Sequence, residues 1–311
     1  MHFPTRCLLA LAGLAILAVA PIHAQHTLTG TVQDERGAVV PFAVVELPAQ
    51  KLGVQADDEG RFSFPLPAGL TSTDSLAVSA LGYQRRRVAV PTGAAVSLRL
   101  AALPVSLNEV VVRPGVAEWV GFNGEPKNFG YSQNGLSKDK NTGWQITRLC
   151  QPATDGYLTA VRFFVKPNHC SKTGLRAPFR VRVYAADGPS GGPGTDLLLS
   201  SVLAAATRKG WVTVDLSRYG IDFPQQGVYV AMEWVYTSDE YLCSYTYTAS
   251  DSRQKKTGFS YGQALAGQLV TAATTQTWYY TVENGWRKFG GRASSGQQPV
   301  GDAGIQAQFQ P

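Results

Sequence analysis

Four histidines occur in the 311-residue sequence. His2 and His23 fall in the first 24 residues, and His26 follows directly after them. His169, beside Cys170, is then the one imidazole placed to serve a Ser-His-Asp or Cys-His site, chemistry that needs an oriented base. A loop histidine next to a structural cysteine explains the pair more simply. No HExxH or HxxE pattern occurs, so zinc peptidase chemistry has no ligand set. No catalytic residue, metal ligand or cofactor is assigned.

Carboxylates need no histidine to hydrolyse a glycosidic bond, provided two of them stand about 5–9 Å apart. Glu233, in the apolar run Val230-Ala231-Met232-Glu233-Trp234, is the first candidate, followed by Asp215, Asp239, Glu240 and Glu283. The sequence offers no way to place any two of them that close, and solvated strand faces and turns account for them. Asp57-Asp58-Glu59-Gly60 reads as a turn, not a calcium site.

Aromatic rings are the richer resource. Trp144, Trp211, Trp234, Trp278 and Trp286 crowd the second half of the chain with many tyrosines. Indole and phenol faces stack on the apolar C–H faces of sugars, so a glycan is a chemically reasonable ligand. Trp278, Tyr280 and Val282 share one side of an extended segment and Tyr279, Thr281 and Glu283 the other. The expected ligand contacts are Trp278, Tyr280, Trp286, Trp234 and Glu233. One face of each strand must nonetheless line a core, which claims many of these rings.

The elements that position these groups are strands. Short alternating runs rich in β-branched and aromatic residues are separated by Gly, Pro, Asn and Asp, and helical periodicity is almost absent. Thr27–Gln33, Val39–Leu47, Arg61–Phe64, Leu76–Ala80, Arg87–Val90 and Val96–Leu100 fit a seven-stranded β-sandwich over residues 25–102. Residues 103–142 read as a linker of irregular structure. Residues 143–311 carry about ten strands, among them Trp144–Leu149, Leu158–Lys166, Phe179–Ala185, Val228–Tyr236, Leu242–Thr248, Thr277–Glu283 and Ile305–Phe309. These predict a larger jelly-roll-like β-sandwich, so the chain is all-β. Asn284-Gly285, between two aromatic runs, predicts a two-residue hairpin turn with positive φ at both positions.

The first 24 residues read as a signal peptide. Arg6 precedes the apolar run Leu8–Ala20, and Ile22-His23-Ala24 offers a cleavage site before Gln25. Thirteen residues of helix reach about 20 Å, short of the roughly 30 Å hydrocarbon core, and no later stretch is apolar enough for a transmembrane helix. The expected location is therefore outside the cytoplasm: periplasmic, outer-membrane-associated or extracellular. Of the cysteines left after cleavage, Cys150, Cys170 and Cys243, an oxidising compartment would pair two. Cys170–Cys243 is preferred because Cys170 lies in a loop. The formal charge of +6 is scattered, with tight clusters only at Arg85-Arg86-Arg87 and Lys255-Lys256, which argues against nucleic acid.

A spaced pattern runs through the first module. Gly30-x-Val32-x-Asp34-x-x-Gly37 is followed by Pro41-x-Ala43-x-Val45, Asp57-x-x-Gly60-x-Phe62, Leu76-x-Val78 and Gly82-Tyr83. It resembles the carboxypeptidase regulatory-like domain, and the resemblance implies a transthyretin-like sandwich with a non-catalytic, accessory role in bacterial envelope proteins. Leu107-Asn108-Glu109-Val110-Val111-Val112 is similar to the segment that follows this domain in TonB-dependent outer-membrane transporters. The roughly 200 residues after it are too few for a 22-stranded barrel, so transport by this chain is not expected. The expected function is non-enzymatic binding or scaffolding in the cell envelope, with a glycan or an envelope protein as partner. A carbohydrate-binding module, a glycan hydrolase with paired carboxylates, and an accessory partner of a TonB-linked transporter are the alternatives.

Overall fold

The computed structural model describes residues 26–71, 73–103, 115–126, 129–134, 143–168, 174–249, 251–290 and 299–311. The expected signal peptide, the Leu107–Val112 segment, His169 and Cys170 lie outside the described residues.

The first module contains β1 (His26–Asp34), β2 (Val44–Leu47), β3 (Leu52–Gln55), β4 (Arg61–Leu66), β5 (Ser75–Ser79), β6 (Arg86–Ala89) and β7 (Ala95–Leu100). They form two sheets, ordered β4-β1-β7 and β3-β2-β5-β6. Alternation dictates the packing: Leu28 and Val32, Phe62, Phe64 and Leu66, and Leu98 and Leu100 project inward against Val45, Leu47, Leu76 and Val78. Each such side chain contributes roughly 1.5–3 kcal/mol on burial. Gly30 fits where little else could, because a Cβ there would lie 2.1 Å from the Val96 carbonyl oxygen and 3.0 Å from the Phe62 ring. The run expected as one strand from Val39 to Leu47 is broken at Phe42, whose φ is +57°, and β2 starts only at Val44.

The second sandwich comprises β8 (Glu118–Gly121), β9 (Phe129–Asn134), β10 (Gln145–Cys150), β11 (Gly156–Lys166), β12 (Phe179–Ala185), β13 (Val202–Ala204), β14 (Gly210–Asp215) and β15 (Ile221–Phe223). It continues with β16 (Val228–Trp234), β17 (Leu242–Thr248), β18 (Lys255–Thr271), β19 (Thr277–Thr281), β20 (Gly285–Lys288), β21 (Pro299–Ala303) and β22 (Ile305–Gln310). One sheet has the order β13-β12-β16-β10-β19-β20. The other follows β17-β18-β11-β22-β8, with β14 and β15 pairing β11, and β9 and β21 pairing β18. Their facing sides share one core, including Phe163, Val165, Phe179, Val181, Met232 and Ile305. The all-β expectation is met; among the described residues no helix is long and apolar enough to cross a membrane.

Three expectations are corrected. The stretch 103–142 is not wholly irregular: it supplies β8, paired with β22, and β9, paired with β18. Phe122 and Tyr131 of this stretch are buried, so ladder partners and core contacts override its Gly- and Asn-rich composition. The long strand β18 was missed because glycines interrupt its alternation; Gly262, at φ +65°, sits inside the register shift between Tyr261 and Leu265. The β19–β20 hairpin exists, but Thr281 pairs with Gly285, leaving Val282, Glu283 and Asn284 as a three-residue loop. Only Gly285 of the Asn284-Gly285 pair takes positive φ, +61°, as a loop of that length requires.

Candidate functional site

β16 lies in the middle of the six-stranded sheet and is buried along its whole length. Val228, Val230, Met232 and Trp234 face the sandwich core. Tyr229, Ala231 and Glu233 point the other way, where solvent would be expected. Tyr229 and Ala231 are covered by Tyr184, Trp278 and Trp286 of the same sandwich, and Glu233 is covered by the first module, which reaches it through Gln55.

The contact is polar and closely paired. Arg180 holds Glu233 through two hydrogen bonds, Nε to Oε2 at 2.8 Å and Nη2 to Oε1 at 2.7 Å, the two-pronged geometry that makes such pairs strong. Arg182 Nη1 adds a third at 3.1 Å and pairs through Nη2 with Asp196. From the first module, Gln55 Nε2 donates to Glu233 Oε1 at 2.6 Å. Arg180 Nη2 in turn donates to the Phe42 carbonyl at 3.3 Å, and its guanidinium lies 5.5 Å from the Phe42 ring centroid. The left-handed backbone of Phe42, costly for a bulky residue, thus aims that carbonyl at the seam.

Burial works to raise the Glu233 carboxyl pKa, but Arg180, Arg182 and the hydrogen bonds outweigh it and hold the group below the usual carboxylate range. A glycosidase general acid needs the opposite shift. Glu233 is 1% exposed. The expectation of Glu233 as a catalytic acid is therefore corrected: it is a structural ion beneath the first module, although it also lines the cleft between the modules with Tyr280. The expectation of Trp234, also 1% exposed, as a ligand contact is corrected too. Its indole N–H donates to the Gln263 carbonyl at 2.9 Å, and its ring packs on Trp144 at 4.7 Å.

Two hollows hold the remaining candidates, and Trp286 borders both. Tyr280 lines a cleft of about 410 Å³ between the modules with Glu46, Arg85, Arg182, Tyr184 and Asp196. Its hydroxyl pKa is pushed up to about 12 by burial and by the charges of Glu46 and Glu233. Burial raises the Glu46 carboxyl, opposed by Arg85 and the Tyr280 hydroxyl. Trp278 and Trp286 line a groove of about 770 Å³ along the edge strand β20, with Trp144, Tyr279, Arg287 and Lys288. Trp278 is only 9% exposed and packs against Tyr229, so it offers a ring edge. Trp286, which meets Tyr184 and Tyr280 at 5.2 and 5.3 Å, presents more of its surface.

Sequence reasoning overlooked Arg180, Arg182 and Gln55. The signal was the alternation Phe179-Arg180-Val181-Arg182-Val183, which places two cations on one face of a strand whose other face is pure core. Cys243 is disulfide-bonded, whereas Cys150 is a free, buried thiol.

Comparisons with known proteins bear on the first module. Residues 27–103 match the model of the carboxypeptidase regulatory-like domain. The chain is 34% identical over 91 residues to a TonB-dependent receptor of Formosa agariphila, a match covering 29% of this chain and 8% of that receptor's length. Among solved structures, a clostridial cysteine protease after propeptide cleavage aligns with a TM-score of 0.36 at 12% identity, covering 62% of this chain and 40% of that one; a likeness so slight carries no argument. The Gly30–Gly37 and Asp57–Phe62 patterns and the seven-stranded sandwich agree with the family match, and the first module is a carboxypeptidase regulatory-like domain.

Proposed function

We propose that the chain is a non-enzymatic, exported binding protein of the cell envelope, in which the first module is a docked accessory and the second sandwich carries the ligand site. The observation that supports this reading most directly is the β20 groove. Three indoles and two cations, Arg287 and Lys288, line one continuous hollow, and the most promising carboxylate of the domain is withdrawn into a salt bridge. A concave apolar lining with few polar groups is the usual form of a ligand site, and a sugar ring is the ligand class that indoles suit. The envelope setting draws support from the receptor whose matching segment resembles the first module. Glycan-array binding by the mature chain tests the reading. Retained binding that falls at least tenfold on Trp286→Ala supports it, and polysaccharide turnover by the purified protein overturns it.

A second reading, an accessory partner of a TonB-linked transporter, is favoured by the same receptor similarity. Pull-down from envelope extracts that recovers no such transporter counts against it.

A further inference from the structure

The six-stranded sheet gives the Glu233 end of its outer face to the first module; the outer face of the other sheet carries a different arrangement. β22 reads Ile305-Gln306-Ala307-Gln308-Phe309-Gln310, with Ile305, Ala307 and Phe309 in the core and the glutamines therefore outward. Gln306 pairs with Arg162 of β11 and with Gly121 of β8, and Gln308 pairs with Trp119. On the far side of β11, Arg162 pairs with Thr213 and Phe164 with Trp211. The long side chains converge: the Arg162 guanidinium carbon lies 4.1 Å from the Trp119 ring centroid and 4.7 Å from that of Trp211. Arg162 Nε donates to Gln306 Oε1 at 2.5 Å, which fixes the guanidinium in place.

Arg162 has no carboxylate partner among the described residues, whereas the more deeply buried Arg148 pairs with Asp302, and Arg180 and Arg182 pair with Glu233. Asp215, at the end of the same face, is engaged by the Ser217 amide at 2.9 Å. Gln308 Oε1 accepts from Thr159 at 3.1 Å, which turns its amide nitrogen outward. The face thus combines one oriented cation without a carboxylate partner, two indoles and the Gln308 amide on a broad sheet.

We propose that this face is a second binding site, distinct from the β20 groove, for an anionic polysaccharide strand. An acidic group of the glycan pairs with Arg162, neighbouring sugar rings lie against Trp119 and Trp211, and hydroxyls meet the amide of Gln308; the Gln306 amide is spent inside the protein, donating to the Phe122 carbonyl at 2.6 Å and accepting from Arg162. Charge complementarity selects this occupant. A nucleic acid, with a phosphate on every residue, calls for many cations along its path, whereas a glycan with spaced charges among hydroxyls and apolar C–H faces calls for one cation flanked by rings and amides. Two indoles held by cation–π contact, Trp211 also by the Phe164 ring at 5.4 Å, keep their orientation before any ligand arrives, which lowers the ordering cost of binding.

The test titrates the full mature chain with sodium alginate, dextran sulfate and neutral dextran, following affinity electrophoresis and intrinsic tryptophan fluorescence. Binding to alginate or dextran sulfate, with dextran unbound, is expected, and the two arms separate carboxylate from sulfate as the recognised group. Arg162→Gln and Trp211→Ala each weaken that binding more than tenfold, while the charge-matched Arg99→Gln on the first module leaves it unchanged. Should Trp211→Ala fail to fold, Arg162→Lys, which keeps the charge but loses the planar stack, takes its place with the same expected loss. The proposal is overturned by wild-type protein that binds neither acidic polymer or binds dextran as well. It is also overturned by acidic-polymer binding that survives Arg162→Gln and is lost in Trp286→Ala, a result that assigns the glycan to the groove and leaves the groove reading standing.

Discussion

Gln55 of the first sandwich donates a 2.6 Å hydrogen bond to the carboxylate of Glu233 in the second, although the two residues are 178 positions apart. Each is almost fully buried. Glu233 lies beneath the module that carries Gln55, and Arg180, its main partner, also reaches that module at Phe42. The seam is therefore a desolvated charge cluster, not a loose contact between surfaces.

Breaking one member of such a cluster is more damaging than its net worth implies, because the other charge stays buried without compensation. Glu233→Ala is expected to cost about 3–5 kcal/mol, a fall of roughly 10 °C in Tm for a chain of this size. Gln55→Ala, which removes a neutral donor to a charged acceptor, should cost about 1.5–3 kcal/mol. Thermal unfolding of the two single variants and the double variant measures both losses; strict additivity would contradict a direct link between the modules.

The depressed carboxyl of Glu233 fixes the sign of its pH dependence. The folded state holds the group ionised more tightly than the unfolded state does. Its stabilisation is complete above the unfolded value, about 4.3, and is lost as pH falls through the lower folded value. Urea midpoints of the wild type should drop more steeply below pH 4.5 than those of Glu233→Gln. Parallel curves for the two proteins would show that this carboxylate does not drive the acid sensitivity.

Cys150 is buried and its thiol is pushed up to about 12, chiefly by burial. The thiolate is the reactive form, so iodoacetamide at pH 8 is expected to leave Cys150 unmodified in the native protein and to alkylate it once guanidinium is added. Mass spectrometry of the tryptic peptide decides the matter; modification of Cys150 without denaturant contradicts its placement.

Gly30→Ala drives a methyl group to 2.1 Å from the Val96 carbonyl oxygen, a backbone atom on the neighbouring strand β7. The sheet must part or bend, and overpacking of this kind costs typically 1–3 kcal/mol. A drop of that size in the urea midpoint is expected, with an unchanged m-value. A neutral substitution would mean that β1 and β7 can separate freely.

The architecture was legible wherever strict alternation meets a single buried face. β12 and β17 were read to the residue, and the first module was visible from its glycines and aspartates. What escaped were segments whose partners are remote: β8 and β9 are short and become strands only because β22 and β18 offer them ladders. β18 was hidden by Gly258, Gly262 and Gly267, which abolish the period of two. The expected ligand residues fared unevenly for a related reason. Trp278 and Trp286 line a hollow, but Glu233 and Trp234 belong to a strand covered on both faces, and no local pattern announces that a separate module supplies the second cover. Trp119 and Arg162, remote in sequence, meet only through the register of three strands, β8, β22 and β11.

The charged seam also governs how the polypeptide can be divided. The first sandwich closes its own apolar core with residues from β1 to β7, so it can mature while the remainder is still emerging. The second cannot be cut free on equal terms: without its companion, Arg180, Arg182, Glu233 and Asp196 would sit on an open sheet, hydrated and free to re-pair. Recombination that supplies a different neighbour inherits ionic groups shaped for Gln55 and the Phe42 carbonyl.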